Sequence, residues 1–175
     1  MLNKSKGGGV FKVTCYDAQG NLKWETQSHN LVVDEGLYYM NEAALGGGSQ
    51  STTWYIGLYG AASSNNPSAS DTMSSHAGWT EIYTEYSQTT RPVCTFGTAT
   101  IPTPGTSVIN NTASKAAFNF TTSATVGGAF LTSDNTKNGT SGTLFSAADF
   151  ALPGDRTVAN GDQLNVEYTF SLDAA

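Results

Sequence analysis

The chain has 175 residues, of which only 13% are charged, and its net charge is −6. This length suits a single domain with its own hydrophobic core. The acidity and the lack of a basic stripe argue against nucleic-acid binding, which needs Lys and Arg to displace phosphate counterions. No window of about 18 apolar residues occurs, so the sequence predicts no membrane span. The N-terminus also lacks the apolar core of a secretory signal, and we expect assembly in a cytoplasm.

The N-terminal segment is the one locally basic part of the chain. Two lysines come before three consecutive glycines, and glycine favours a hinge because it restricts the backbone least. We therefore expect residues 1–9 to form a flexible arm and residues 10–175 to form a single domain. An alternative is a solvated tail without a role. The residues concerned are Lys4, Lys6, Gly7, Gly8 and Gly9.

The next segment, "VFKVTCYDAQGNLKWET", predicts a β-hairpin. Two runs of alternating apolar and polar residues flank "DAQG", whose Asp and Gly suit a tight turn. Phe11, Val13 and Cys15 should face inward from the first strand, and Leu22 and Trp24 should face inward from the second.

One helix is predicted, in "VVDEGLYYMNEAALGGG". Asp34 is a suitable N-cap residue, because its carboxylate can accept backbone N–H bonds. Leu37, Met40 and Ala44 follow at helical spacing and predict an apolar inner stripe. The glycines at 46–48 should end the helix.

Short strands follow from residue 54 to the end of the chain. "TTWYIGLYG" is almost wholly apolar, which is typical of a strand buried on both faces. "GDQLNVEYTFSL" alternates with a period of two, so Leu164, Val166, Tyr168, Phe170 and Leu172 should point inward. About nine turn-bounded strands predict an all-β fold: an antiparallel β-sandwich, jelly-roll or Ig-like, with one short helix and the N-terminal arm.

The segment "DTMSSHAGWTE" at 71–81 contains the residue types of a hydrolase site. A catalytic triad needs side chains that converge from different elements, whereas Ser75 and His76 are adjacent and should diverge. The better interpretation is a single helical turn capped by Asp71, after which Trp79 begins a strand. A surface that contacts a partner is the remaining alternative.

No other pattern predicts chemistry, so we assign no catalytic residue, no cofactor and no metal ligand. "SDNTKNGTSG" begins like a calcium loop but lacks the closing Glu. Glu81 and Glu85 would lie too far apart on a strand for a glycosidase pair. Cys15 and Cys94 sit in phase with apolar neighbours and are interpreted as buried thiols, although a disulfide between them stays open.

Several motifs together resemble a family of small structural proteins encoded by tailed phages and prophages. They are "SHNLVVDEGL", "TTWYIGLYG", "DTMSSHAGWTE", "GGAFLTSDNTKNGTSGTLFSAADF" and "GDQLNVEYTFSL", and the resemblance runs from about residue 10 to residue 172. It implies a virion component without catalytic residues. It does not distinguish the head from the tail of the particle.

We therefore expect a virion structural protein, most specifically a capsid decoration or cement protein. Its partners would be the major capsid protein or other virion proteins. We expect homotrimers because such components are commonly trimeric, and no residue of the sequence indicates this. The contact residues would be the five residues of the arm together with His76 and Trp79. The alternatives are a tail, fibre or baseplate component that contacts host glycans, and a carbohydrate-binding module.

Overall fold

The structure is a computed structural model, and it describes residues 5–60, 66–150 and 154–174. Two antiparallel sheets pack face to face, and one short helix lies beside them. The predicted β-sandwich with one helix is therefore confirmed.

The described elements follow one another in chain order, and the longest connection between them is the segment between β4 and β5. The helix α1 spans Asp34–Asn41 and continues as a π-helical turn, Glu42–Gly46. The strands are β1 (Lys6–Tyr16), β2 (Leu22–His29), β3 (Leu31–Val32), β4 (Trp54–Gly60), β5 (Glu81–Ile82), β6 (Val93–Cys94), β7 (Thr100–Thr103), β8 (Thr106–Asn110), β9 (Ala116–Asn119), β10 (Ala124–Thr132), β11 (Leu144–Asp149), β12 (Arg156–Val158) and β13 (Gln163–Asp173).

The first sheet has the strand order β2-β1-β13-β8-β7, and β9 also pairs with β13. The first and last strands of the chain pair along their whole length, from Lys6 opposite Asp173 to Tyr16 opposite Gln163. The inward face of β13 is buried from Leu164 to Phe170, as its alternation predicted, while Leu172 at the end of the strand is exposed.

The second sheet has the strand order β3-β11-β10-β4-β5, with β12 beside β10 and β6 beside β4. Its inner face, which includes Ile56, Leu58 and Leu131, packs against the first sheet in the main core. Its outer face carries a second apolar cluster that includes Tyr59 and Phe130. The prediction that β4 is buried on both faces is therefore confirmed.

The glycine-rich segment is not a hinge, and this part of the predicted arm is wrong. Residues 6–9 belong to β1, and the Gly9 backbone N–H also donates to Oδ1 of Asn30, the residue after β2, at 2.6 Å. A methyl group at Gly9 would lie 2.5 Å from the Tyr168 hydroxyl, so glycine is needed here for close packing. Lys4 lies outside the described residues.

The helix turns a different face toward the core from the one that the sequence predicted. Only Gly36 is fully buried in α1, and a Cβ there would overlap the carbonyl of Phe145, so the glycine lets the helix lie directly on β11. Met40 packs against the core as expected, but Leu37 and Ala44 face solvent. Asp34 is the first helical residue and makes no side-chain cap bond, whereas Gly47 does end the helix in a left-handed conformation.

The β1–β2 hairpin turn forms as predicted. The carboxylate of Asp17 accepts bonds from the backbone N–H groups of Gln19 at 2.9 Å and Asn21 at 2.8 Å. Trp24 packs against the core, but Leu22 is 61% exposed, so its predicted inward orientation is wrong. The register shifts next to Leu22, where the strand begins, and this turns its side chain away from the core.

Gly9→Ala should destabilise the fold, because the added methyl group overlaps the Tyr168 ring. We expect the free energy of unfolding to fall by about 1–3 kcal/mol. Gly8→Ala is the matched control, since nothing lies within 4 Å of a Cβ there. It should cost nothing or add up to about 1 kcal/mol by restricting the unfolded chain. Urea unfolding of both variants tests this, and equal effects would show that the close approach at Gly9 is unimportant.

Candidate interaction surface

The segment at 71–81 covers the outer face of the second sheet. The Trp79 ring lies 5.2 Å from the Tyr59 ring and 5.0 Å from the Phe130 ring, measured between centroids. Trp79 is 2% exposed, and Met73 beside it is equally buried. The segment therefore closes an apolar surface that would otherwise face water.

Polar side chains of this segment hold Trp79 in place. Its indole N–H donates to Asp71 Oδ2 at 3.0 Å, and the same oxygen accepts the Ser68 backbone N–H at 3.0 Å. The His76 ring stacks on the indole at 3.8 Å, and His76 Nδ1 lies 3.0 Å from the Trp79 carbonyl oxygen. The hydrolase-like residue types are thus accounted for by their role in positioning a tryptophan.

The predicted capped helical turn does not form. Thr72 and Ser75 instead close a tight turn through reciprocal backbone bonds of 2.9 and 3.2 Å. The hydroxyl of Ser74 bonds to Thr72 Oγ1 at 3.1 Å, and neither serine hydroxyl bonds to His76. Trp79 also precedes β5 and does not begin it, because the strand is confined to Glu81–Ile82.

A buried ion pair holds the C-terminal end of the 71–81 segment in place. Arg91 is 0% exposed and binds Glu81 with two bonds, from Nε to Oε1 at 2.9 Å and from one terminal nitrogen to Oε2 at 2.7 Å. Its guanidinium also lies 5.3 Å from the centroid of the Phe130 ring. Two-point binding of this kind fixes the geometry of both chains.

The same arginine also holds the loop between β10 and β11 through hydrogen bonds. It donates to the carbonyl oxygens of Asp134 at 2.9 Å and Gly139 at 3.1 Å, and Glu81 Oε2 accepts the Asn138 backbone N–H at 2.8 Å. Lys137 of this loop donates to the carbonyls of residues 86 and 88. The calcium-like motif is therefore a polar hairpin loop held by a cation of the protein itself.

Sequence reasoning did not single out Arg91. The available signal was its position in "TTRPVCTF", a lone cation next to an apolar run in a chain with few charges. Burial of a charge requires a partner, but the sequence does not say which of 14 acids supplies it.

The two cysteines are both free and buried, as interpreted from the sequence. Burial raises the pKa of Cys94 to about 12. Burial, together with the carboxylate of Asp162 3.8 Å away, raises the pKa of Cys15 to about 12. Neither thiol is therefore a nucleophile in the folded protein at neutral pH.

The predicted contact residues do not form one surface. Lys6, Gly7, Gly8 and Gly9 line a shallow groove of about 350 Å³ on the outer side of the first sheet. His76 and the buried Trp79 belong to the outer side of the second sheet.

Three of the exposed large apolar residues lie together elsewhere, on the outer side of α1 and its π-helical turn. Leu45 is 88% exposed, Tyr38 is 68% exposed and Leu37 is 47% exposed, and Ala44 is exposed between them. Helical spacing puts these four residues on one side, which we call the helix stripe. An apolar stripe on the solvent side of a lone helix marks a surface suited to a partner.

An aromatic cleft of about 170 Å³ opens between the two sheets near this helix. Its floor is made by four buried side chains and its rim by four half-buried ones. The rings pack edge to face, with centroid distances of 5.1 Å from Tyr39 to Trp54, 5.4 Å from Trp54 to Phe145 and 5.4 Å from Phe145 to Phe170. The floor is Leu131, Phe145, Tyr168 and Phe170, and the rim is Tyr39, Trp54, Phe96 and Ile109.

The described residues contain neither a membrane-spanning helix nor a cluster of metal-binding side chains. No helix in this part of the chain is long and apolar enough to cross a membrane. No group of three or more His, Cys, Asp or Glu residues within it could hold a metal ion.

Comparison of the chain with protein-family models, with curated proteins and with solved structures gives no match. The resemblance to phage structural proteins therefore stays a prediction from the sequence motifs.

Arg91→Met should be strongly destabilising, because it leaves the Glu81 carboxylate buried without a cation. We expect a loss of about 3–5 kcal/mol in the free energy of unfolding. Adding Glu81→Gln should recover part of this loss. The control is Lys12→Met, which removes the exposed Lys12–Glu25 pair and should cost under about 1 kcal/mol. Equal losses for Arg91→Met and Lys12→Met in urea unfolding would contradict the anchoring role.

Both thiols should resist Ellman's reagent in the native protein. With pKa values of about 12, roughly one thiol in 10⁴ is ionised at pH 8, and neither sulfur is exposed. Two thiols per chain should react once the protein is unfolded in urea. Rapid reaction of the folded protein would mean that one of the two sites opens readily.

Proposed function

We propose that this chain is a structural protein of a tailed-phage virion, and specifically a decoration protein that binds the outside of the assembled capsid. The motifs that resemble phage structural proteins support the virion as its location. Under this proposal its partner is the major capsid protein or another virion protein, and it binds as a homotrimer.

The observation that carries the proposal is the helix stripe. Leu37, Tyr38, Ala44 and Leu45 project from the side of the helix that faces away from the core. Leaving such residues in water has a free-energy cost, whereas burial of one large apolar side chain gains about 1.5–3 kcal/mol. A protein that works within an assembly recovers this free energy on docking.

The polar groups of the domain suit the same role. The charged side chains of the Arg91–Glu81 network are directed inward and hold loops in place. The cysteines are buried. A domain whose loops are held by internal bonds and which presents an apolar contact surface fits a component that bridges capsid subunits.

The experiment uses particles from a phage that lacks the gene for this protein. Purified protein should co-sediment with them, and cryo-electron microscopy should locate it on the capsid. The double variant Leu37→Ser/Leu45→Ser should bind at least about tenfold more weakly, because two large apolar side chains are lost from the contact.

Leu22→Ser is the matched control, since Leu22 is also an exposed leucine but lies on the β1–β2 hairpin. It should bind like the unchanged protein. Equal binding of the double variant would contradict the role of the helix stripe. Density on the tail and not on the capsid would contradict decoration.

A further inference from the structure

Three hollows adjoin one another at the end of the sandwich near α1. The aromatic cleft is the middle one. It shares Tyr39 with a hollow of about 400 Å³ beside the helix, and it shares Trp54 and Phe96 with a hollow of about 270 Å³ beside β6. Together the three form a depression that we call the aromatic groove.

The middle of the groove accepts an apolar group. The Tyr39 hydroxyl accepts the Ser51 backbone N–H at 2.6 Å, and the Tyr168 hydroxyl accepts a bond from Asn30 Nδ2 at 2.7 Å. Both hydroxyls therefore already have a partner, and the rest of the cleft lining is largely hydrocarbon. A volume of about 170 Å³ is close to that of an engineered apolar cavity of about 150 Å³ that holds benzene, so one ring or branched aliphatic side chain fits.

The groove is acidic at its helix end. Glu35 and Glu42 line the hollow there, and the described residues that line the three hollows include no Lys, Arg or His. Glu35 is already engaged, because it accepts the Leu144 backbone N–H at 2.8 Å. The Glu42 carboxylate has no hydrogen-bond or ion-pair partner within residues 5–60, 66–150 and 154–174. A cation on the occupant would therefore find an unpaired carboxylate next to the apolar cleft.

We propose that the aromatic groove docks a short segment of another protein, in which one bulky apolar side chain is flanked by lysine or arginine. The apolar side chain fills the cleft and the cation pairs with Glu42. Over most of its surface a second copy of this chain would bring further acids to an acidic groove, because its net charge is −6. Its basic N-terminal segment is the exception, so self-association is an outcome that the test distinguishes. The proposal rests on the proposed function only in naming that protein as a virion component.

The first test uses three synthetic peptides and the isotopically labelled protein. One peptide carries a leucine flanked by lysines, the second has glutamates in place of the lysines, and the third has serine in place of the leucine. NMR titration should give chemical-shift changes at Trp54, Phe96 and Ile109 with the first peptide. Its affinity should exceed that of either other peptide by about tenfold or more and should fall as salt is added.

The second test changes the protein. Ile109→Thr, at the rim of the cleft, should weaken binding of the first peptide about tenfold. Ile101→Thr is its matched control, because Ile101 lies on the neighbouring strand β7, is 74% exposed and does not line the cleft. Glu42→Gln should abolish the preference for lysine over glutamate flanks while leaving the thermal unfolding temperature unchanged. This surface variant keeps the test decisive if Ile109→Thr is poorly folded.

Several results would overturn the proposal: no shift changes at millimolar peptide, shifts confined to another surface, or equal binding of the lysine and glutamate peptides. Self-association that Ile109→Thr removes, without peptide binding, would assign the groove to a second copy. The outcome is separate from that of the particle experiment. Peptide binding without particle binding refutes decoration alone, and particle binding without peptide binding refutes the groove alone.

Discussion

The second sheet is apolar on both faces, and the rest of the structure depends on covering both. The first sheet covers one face, with Ile56, Leu58 and Leu131 in the shared core. The other face presents Tyr59 and Phe130, and no third sheet lies over it within the described part of the chain. Exposed apolar surface of this kind costs about 25 cal/mol per Å². The chain covers it with an irregular segment that carries Met73 and Trp79, so this segment has to be fixed without regular hydrogen bonding.

The need to hold this irregular segment in one position explains where its polar side chains and their partners lie. Asp71 and His76 orient Trp79, while Glu81 and Arg91 join the cover to the loop after β10. A buried ion pair adds little net stability compared with apolar residues of the same volume, yet loss of one partner is severe. The pair is therefore best understood as specifying one arrangement of the loops. The same residue types that resemble a hydrolase site have a structural use here.

Glycine and aromatic residues fit together throughout the sheets. Phe130 lies across Gly57 and Tyr59 lies across Gly128, in directly opposed positions of β4 and β10. A Cβ at either glycine would overlap the opposing ring, so a strand glycine here is a space for a neighbouring side chain. Gly9 does the same for Tyr168. At the end near α1 the rings pack against one another edge to face, and there the cleft stays open.

The fold class could be predicted from the sequence because alternation and turn residues are local signals. The β1–β2 turn at Asp17, the inward face of β13 and the left-handed end of the helix at Gly47 all follow from residue type and spacing. The burial of both cysteines followed from their phase with apolar neighbours.

Tertiary packing decided the rest, because it depends on which distant residues meet. Gly7, Gly8 and Gly9 predict a hinge by composition, but β13 and the Tyr168 ring make them a strand. Leu37 predicts an inner helix face, but contact of Gly36 with Phe145 turns it to solvent. Arg91 pairs with Glu81, which is ten residues away in the chain. It also bonds to the loop after β10, which is more than forty residues away. The sequence by itself determined the β-sandwich through local periodicity, whereas the buried network, the helix stripe and the aromatic groove arise only from long-range contacts that no local pattern encodes.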